Sequence, residues 1–170
     1  MPLRATVVAA AVTAAAALTL SGQEARADVG PAAFPTCNAT LGNLVATYKN
    51  GNWATLEIFW DNANGTNCAF LRHGSAAPSG KIFTFVSLWT CTTSTAGAAC
   101  NPRGPVDSRY QDTDRGNFES FAGKVVVDGR DRCIYAWGGV DTNGDGAADR
   151  HIDVNNSTNP ASQARGAHCG

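Results

Sequence analysis

The 170-residue sequence is sparing with charge. Only 16% of its residues are Asp, Glu, Lys or Arg, and 13 basic residues balance 14 acidic ones. Near-neutrality excludes a polybasic nucleic-acid binder, whose affinity comes from lysines and arginines set against phosphates. After the N-terminal stretch, no window of eleven or more residues carries a clear 3.6-residue apolar period, which excludes a helical bundle. No C-x-x-C pair occurs, and the only histidines, His73, His151 and His168, are scattered, which argues against a zinc site. No serine sits in a G-x-S-x-G elbow. Beyond residue 20 no apolar run is long enough to cross a bilayer, so no membrane partner is expected. What the sequence does hold is an apolar fraction of 44%, too high for a disordered chain, and six cysteines.

The apolar run from Ala5 to Leu20 follows a single charge, Arg4. It falls short of the ~20 residues that span a membrane. It leads into Ala25-Arg26-Ala27, a small-x-small site before Asp28. This layout predicts a secretory signal peptide over 1–27. Residues 28–36, with Pro31 and Pro35, read as a flexible lead, and 37–170 as one domain. The chain is therefore expected to be secreted. An even cysteine count in an exported chain reads as disulfides between Cys37, Cys68, Cys91, Cys100, Cys133 and Cys169. Cys91–Cys100 is the local pairing. The other four allow three connectivities. Domain termini tend to lie close together, which suggests Cys37–Cys169 and leaves Cys68–Cys133.

Periodicity favours strands. In 54–61 Leu56, Ile58 and Trp60 share one face, while Thr55, Glu57, Phe59 and Asp61 share the other. Asn62-Ala63-Asn64-Gly65 supplies a turn, and Asn67–His73 returns as the second strand of a hairpin. Lys81–Cys91 is apolar on both faces, as in a central strand covered twice. Shorter strands are expected at Leu44–Lys49, Arg109–Asp114, Lys124–Val127, Arg132–Trp137 and Arg150–Val154. The predicted fold is all-β: a small antiparallel β-sandwich or barrel of seven to eight short strands, stapled by disulfides.

One loop carries recognisable chemistry. Asp141, Asn143, Asp145 and Asp149 stand at loop positions 1, 3, 5 and 9, with Gly146 at position 6 and the Ala147 carbonyl at position 7. Oxygens at this spacing suit a hard cation, and the expected cofactor is a structural Ca²⁺. Position 12 is Ile152, with Asp153 one residue late, which argues against an EF-hand. The pattern is closer to calcium loops that join two strands in integrin-type propeller repeats.

Three segments together resemble a known family. They are Leu56-x-Ile58-Phe59-Trp60-Asp61-Asn62-Ala63-Asn64-Gly65-Thr66-Asn67-Cys68, Asp114-Arg115-Gly116-Asn117-Phe118-x-Ser120-Phe121-Ala122-Gly123-x-Val125-x-Val127, and Cys133-Ile134-x-Ala136-Trp137-Gly138-Gly139 with terminal Cys169-Gly170. The set resembles the spore-associated protein A family of secreted actinomycete proteins. The resemblance implies an exported protein on spores or aerial hyphae, with no established catalytic role. The family's recurring cysteines match Cys37, Cys68, Cys133 and Cys169. The Cys91/Cys100 pair and the 141–149 loop read as additions to that pattern.

The expected function is that of a non-catalytic protein bound to a spore, cell-wall or glycan surface. Trp53 and Tyr110 are the aromatics expected at the surface, and Trp60, Trp89 and Trp137 are assigned to the core. Two alternatives are a protease inhibitor presenting the Cys91–Pro105 loop with Arg103, and a small nuclease-like hydrolase. For the latter, Glu57 or Glu119 would serve as base, His73 as acid and Arg72 as phosphate anchor.

Overall fold

The computed structural model describes residues 43–159 and 163–170. The expected signal peptide, the 28–36 lead and Cys37 lie outside the described residues. Eight strands follow in order: β1 (Asn43–Asn50), β2 (Ala54–Asp61), β3 (Thr66–His73), β4 (Ile82–Thr90), β5 (Gln111–Phe118), β6 (Phe121–Asp128), β7 (Ile134–Val140) and β8 (Arg150–Asp153). They form two four-stranded antiparallel sheets, ordered β1-β2-β3-β6 and β5-β4-β7-β8. The all-β, disulfide-stapled class is therefore the observed one.

The alternating pattern of β2 explains its placement. Leu56 and Ile58 are fully buried, while Thr55, Glu57 and Phe59 on the other face are partly exposed. In the β2–β3 turn the Asp61 carboxylate accepts the amides of Ala63 and Asn64 at 2.9 and 3.3 Å, and Gly65 takes φ +66°. Asp61 thus caps its own turn. Between the sheets, Leu56, Ile58, Ala69, Leu71, Val125 and Val127 from the first meet Val86, Leu88, Ile134, Ala136, Val140 and Ile152 from the second.

β5 and β6 share no strand ladder, because the chain passes from one sheet to the other between them. Two carboxylates bridge that corner: Asp112 accepts Val126 N–H at 3.0 Å and Asp114 accepts Gly123 N–H at 2.7 Å. These acids satisfy edge amides that would otherwise lack partners.

Cys91–Cys100 forms as expected. The second pairing is Cys133–Cys169, which corrects both Cys37–Cys169 and Cys68–Cys133. The C-terminal segment is threaded between the start of β7 and the 91–100 loop. Ile134 and Ala167 exchange both backbone bonds at 2.8 Å, and Cys100 N–H donates to Ala164 at 2.9 Å. That pairing sets Cys169 beside Cys133. Gly166 permits the approach, since a Cβ there would lie 2.8 Å from the Cys133 Cβ. Cys68 is also disulfide-bonded.

Candidate functional site

Pleating sends Val86 and Leu88 of β4 into the core and Phe83, Phe85 and Ser87 to the outer face of the second sheet. Register then builds the site row by row. Phe85 stands opposite Arg115 of β5 and Gly139 of β7, and Gly139 stands opposite His151 of β8. Ser87 stands opposite Thr113 and Trp137. The missing side chain at Gly139 lets its neighbours close up: a Cβ there would lie within 2.9 Å of Phe85, His151 and Ala148 at once. Phe85 meets Trp137 edge-on with centroids 4.7 Å apart. Trp137 and His151 lie nearly parallel, at 16° and 5.9 Å.

These side chains line a groove of about 360 Å³, walled on one side by Gly146, Ala147 and Ala148 of the β7–β8 loop. Ser87 and Thr113 share a hydroxyl hydrogen bond of 3.0 Å at its base. Arg115 is exposed at its rim and has no hydrogen-bond or ion-pair partner among the described residues. Burial holds the His151 pKa below its ordinary value, with the Asp149 charge opposing.

The expectation that β4 is covered twice is corrected here. Its outer aromatics are half-buried by packing on one another and on β7, with no second layer of described strands above them. The same finding moves Trp137 and Trp89 to the outer face, although both also touch the core. Trp60 is half-buried at the end of β2 against Gly129. The two aromatics expected at the surface are covered by arginines. Arg150 lies over Trp53 at 5.1 Å, and Arg103 and Arg109 lie over Tyr110 at 4.5 and 4.6 Å. A period of two assigns faces, but it does not say which face is roofed.

The 141–149 loop is tied by its own amides. Buried Asp141 accepts N–H groups of Asn143, Gly144 and Gly146 at 3.1, 2.7 and 2.8 Å. Asn143 accepts Asp145 N–H at 2.9 Å, and Asp145 accepts Ala147 N–H at 2.9 Å. Asp149 accepts both the amide and the hydroxyl of Thr142 at 2.7 Å. The donor set is all oxygen, as a hard cation requires, although Asp141 Oδ1 already accepts two amides, those of Asn143 and Gly144. Among the described residues no three Asp, Glu, His or Cys side chains gather as a metal-holding group. Asp153 is engaged elsewhere: it accepts the Tyr135 hydroxyl at 2.9 Å and the amides of Asn155 and Ser157 at 2.8 Å.

The residues considered for hydrolysis do not converge. Arg72 and Glu57 form an ion pair of 2.6 Å on the outer face of the first sheet. His73, the next residue of the strand, turns the other way and bonds the fully buried Thr84 hydroxyl at 2.7 Å. Glu119 is exposed in the β5–β6 turn. In the 91–105 segment Arg103 is exposed, and its amide donates to Thr90 O at 2.8 Å. No protein-family model, curated protein or solved structure matches this chain. The disulfides suit an oxidising, extracellular setting, and no helix among the described residues is long and apolar enough to cross a membrane.

Proposed function

We propose that this is a secreted, non-catalytic protein that acts by binding at the surface of the spore or hypha that makes it. The observation that carries this reading is the aromatic groove on the outer face of β4 and β7, a concave, ready-made surface with a few polar groups at its edge. The resemblance to the spore-associated protein A family supports the location. The opposed directions of Arg72 and His73 count against the nuclease-like alternative. The test is immunolocalisation together with fractionation of the producing culture. A wall- or spore-bound fraction released only by denaturant is expected, and a wholly free protein would sink the reading.

The 141–149 loop belongs to the same proposal as a structural clasp. Asp141, Asn143, Asp145, Asp149 and the Ala147 carbonyl would hold Ca²⁺, which would neutralise clustered carboxylates and stiffen the groove wall. At free calcium ten times Kd the ion adds about 1.4 kcal/mol. Melting is therefore expected several degrees higher in calcium than in excess chelator, and coincident curves would remove the ion from the proposal.

A second reading, protease inhibition, keeps one favourable feature: Arg103 is exposed directly after the Cys91–Cys100 staple. Inhibition of a trypsin-like enzyme that Arg103→Ala abolishes would replace the surface-binding reading with this one.

A further inference from the structure

We propose that the groove on the outer face of β4, β5, β7 and β8 is a saccharide-binding site, with a sugar ring seated against Trp137, Phe85 standing edge-on beside it, and its polar edge on Arg115. The inference rests on the surface-binding reading and names its ligand. At about 360 Å³ the groove falls at the lower end of small-molecule sites, roughly 300–1,000 Å³, large enough for one or two rings of a longer polymer.

Its chemistry is two-sided. The floor is aromatic, and the electron-rich faces of such rings attract the weakly positive C–H face of a pyranose. The base and rim are polar: the Ser87–Thr113 hydroxyl pair at 3.0 Å, and the exposed Arg115 with no anionic partner among the described residues. A purely apolar ligand would strip water from these groups without replacing their hydrogen bonds. A purely ionic ligand would leave the aromatic floor unused. A saccharide offers an apolar face and a hydroxyl or carboxylate edge on one rigid ring. A guanidinium can take vicinal hydroxyls or a carboxylate with two parallel N–H donors. Four β-strands and the β7–β8 loop hold the groove's lining in place before binding, so little order is lost on association.

The test is titration of the disulfide-intact protein with cellohexaose, chitohexaose and hexagalacturonate, followed by tryptophan fluorescence and calorimetry. Trp137→Ala is expected to lower affinity at least about tenfold, as truncation of an aromatic anchor does. Trp137 also touches the core, so a second variant leaves the framework alone. Ala147→Phe, at an exposed wall position, fills the groove and is expected to cause a similar loss with an unchanged melting point. Arg115→Ala reads the polar edge. A loss confined to hexagalacturonate reports a carboxylate on the guanidinium, and an equal loss for all three reports hydroxyls; either supports the site. No binding of any oligomer, or binding that Trp137→Ala and Ala147→Phe both leave intact, overturns it. Spore-wall retention that survives both variants also overturns the groove while leaving the surface reading standing. Oligomer binding without any wall-bound fraction does the reverse.

Discussion

Two half-buried histidines carry a pH dependence. Burial holds His73 below the ordinary value of 6.5, with the Glu119 backbone carbonyl opposing, and burial alone does the same for His168, whose Nε2 is 2.8 Å from the Tyr48 hydroxyl. The folded state then binds fewer protons than the unfolded state just below pH 6.5, so stability rises with pH through that window. Their contribution is complete above the unfolded pKa and is lost as pH falls through the folded one. Melting temperature is expected to climb between pH 5 and 7.5, with a shallower slope in His73→Gln. Asp61 and Asp149 are lowered from 3.8, the first chiefly by the Asn64 side-chain amide, the second by its bonds to Thr142 against the cost of burial. Their stabilisation fades only below about pH 4, so the two windows separate. Asp141 is a further single-residue test. Asp141→Ala orphans three loop amides, and a loss of about 1–3 kcal/mol in urea unfolding is expected. The Asn62–Gly65 turn and the Asp-rich 141–149 loop were legible in the sequence, because Asn, Asp and Gly favour turns whatever surrounds them. The lowered pKa of the histidines was not, because it depends on burial supplied by other strands.

Strand positions were largely readable as well. β1, β2, β3, β4 and β8 lie within a residue or two of their expected limits, since turn residues stand beside them. β6 starts three residues earlier and β7 ends three residues later than expected, and β5 departs furthest. It was expected at Arg109–Asp114 and runs instead from Gln111 to Phe118. Asp114-Arg115-Gly116-Asn117 has turn composition, yet Gly116 pairs with Thr84 inside a ladder. The ladder to β4 overrides local preference there, as context often does in sheets. The staples make their own prediction at this level. Chain entropy assigns about 2.6 kcal/mol to the Cys91–Cys100 ring and about 3.8 kcal/mol to Cys133–Cys169, whose sequence separations are 9 and 36. Serine pairs at 133 and 169 should therefore lower the denaturation midpoint more than serine pairs at 91 and 100.

For the molecule as a whole, the interface between the sheets is the main store of stability. Leu71 of β3 is fully buried and reaches Gly138 of β7, where an added Cβ would lie 3.1 Å from both leucine methyl carbons. Leu71→Ala opens a cavity between the sheets and is expected to cost about 2–5 kcal/mol. Gly138→Ala overfills the same contact and also meets Phe85 O at 2.7 Å, with an expected cost of about 1–3 kcal/mol. Equilibrium unfolding of both variants checks the pair, and a near-neutral Gly138→Ala would show that the sheets slide apart easily.

Composition and alternation, both local, were enough to reveal an all-β, disulfide-stapled chain, its hairpin, its Asp-rich loop and the Cys91–Cys100 ring. Steric and hydrogen-bonding rules that act over a few residues settle such features wherever the segment lies. The partner of Cys169, the open outer face of β4 and the meeting of Phe85, Arg115, Trp137 and His151 depend on which strands become neighbours. That choice is made by burial between two sheets, and it joins residues as far apart as 83 and 151. Periodicity could mark Trp137 as facing one side of a strand. Only the packing of the two sheets left that side without a second layer of described strands.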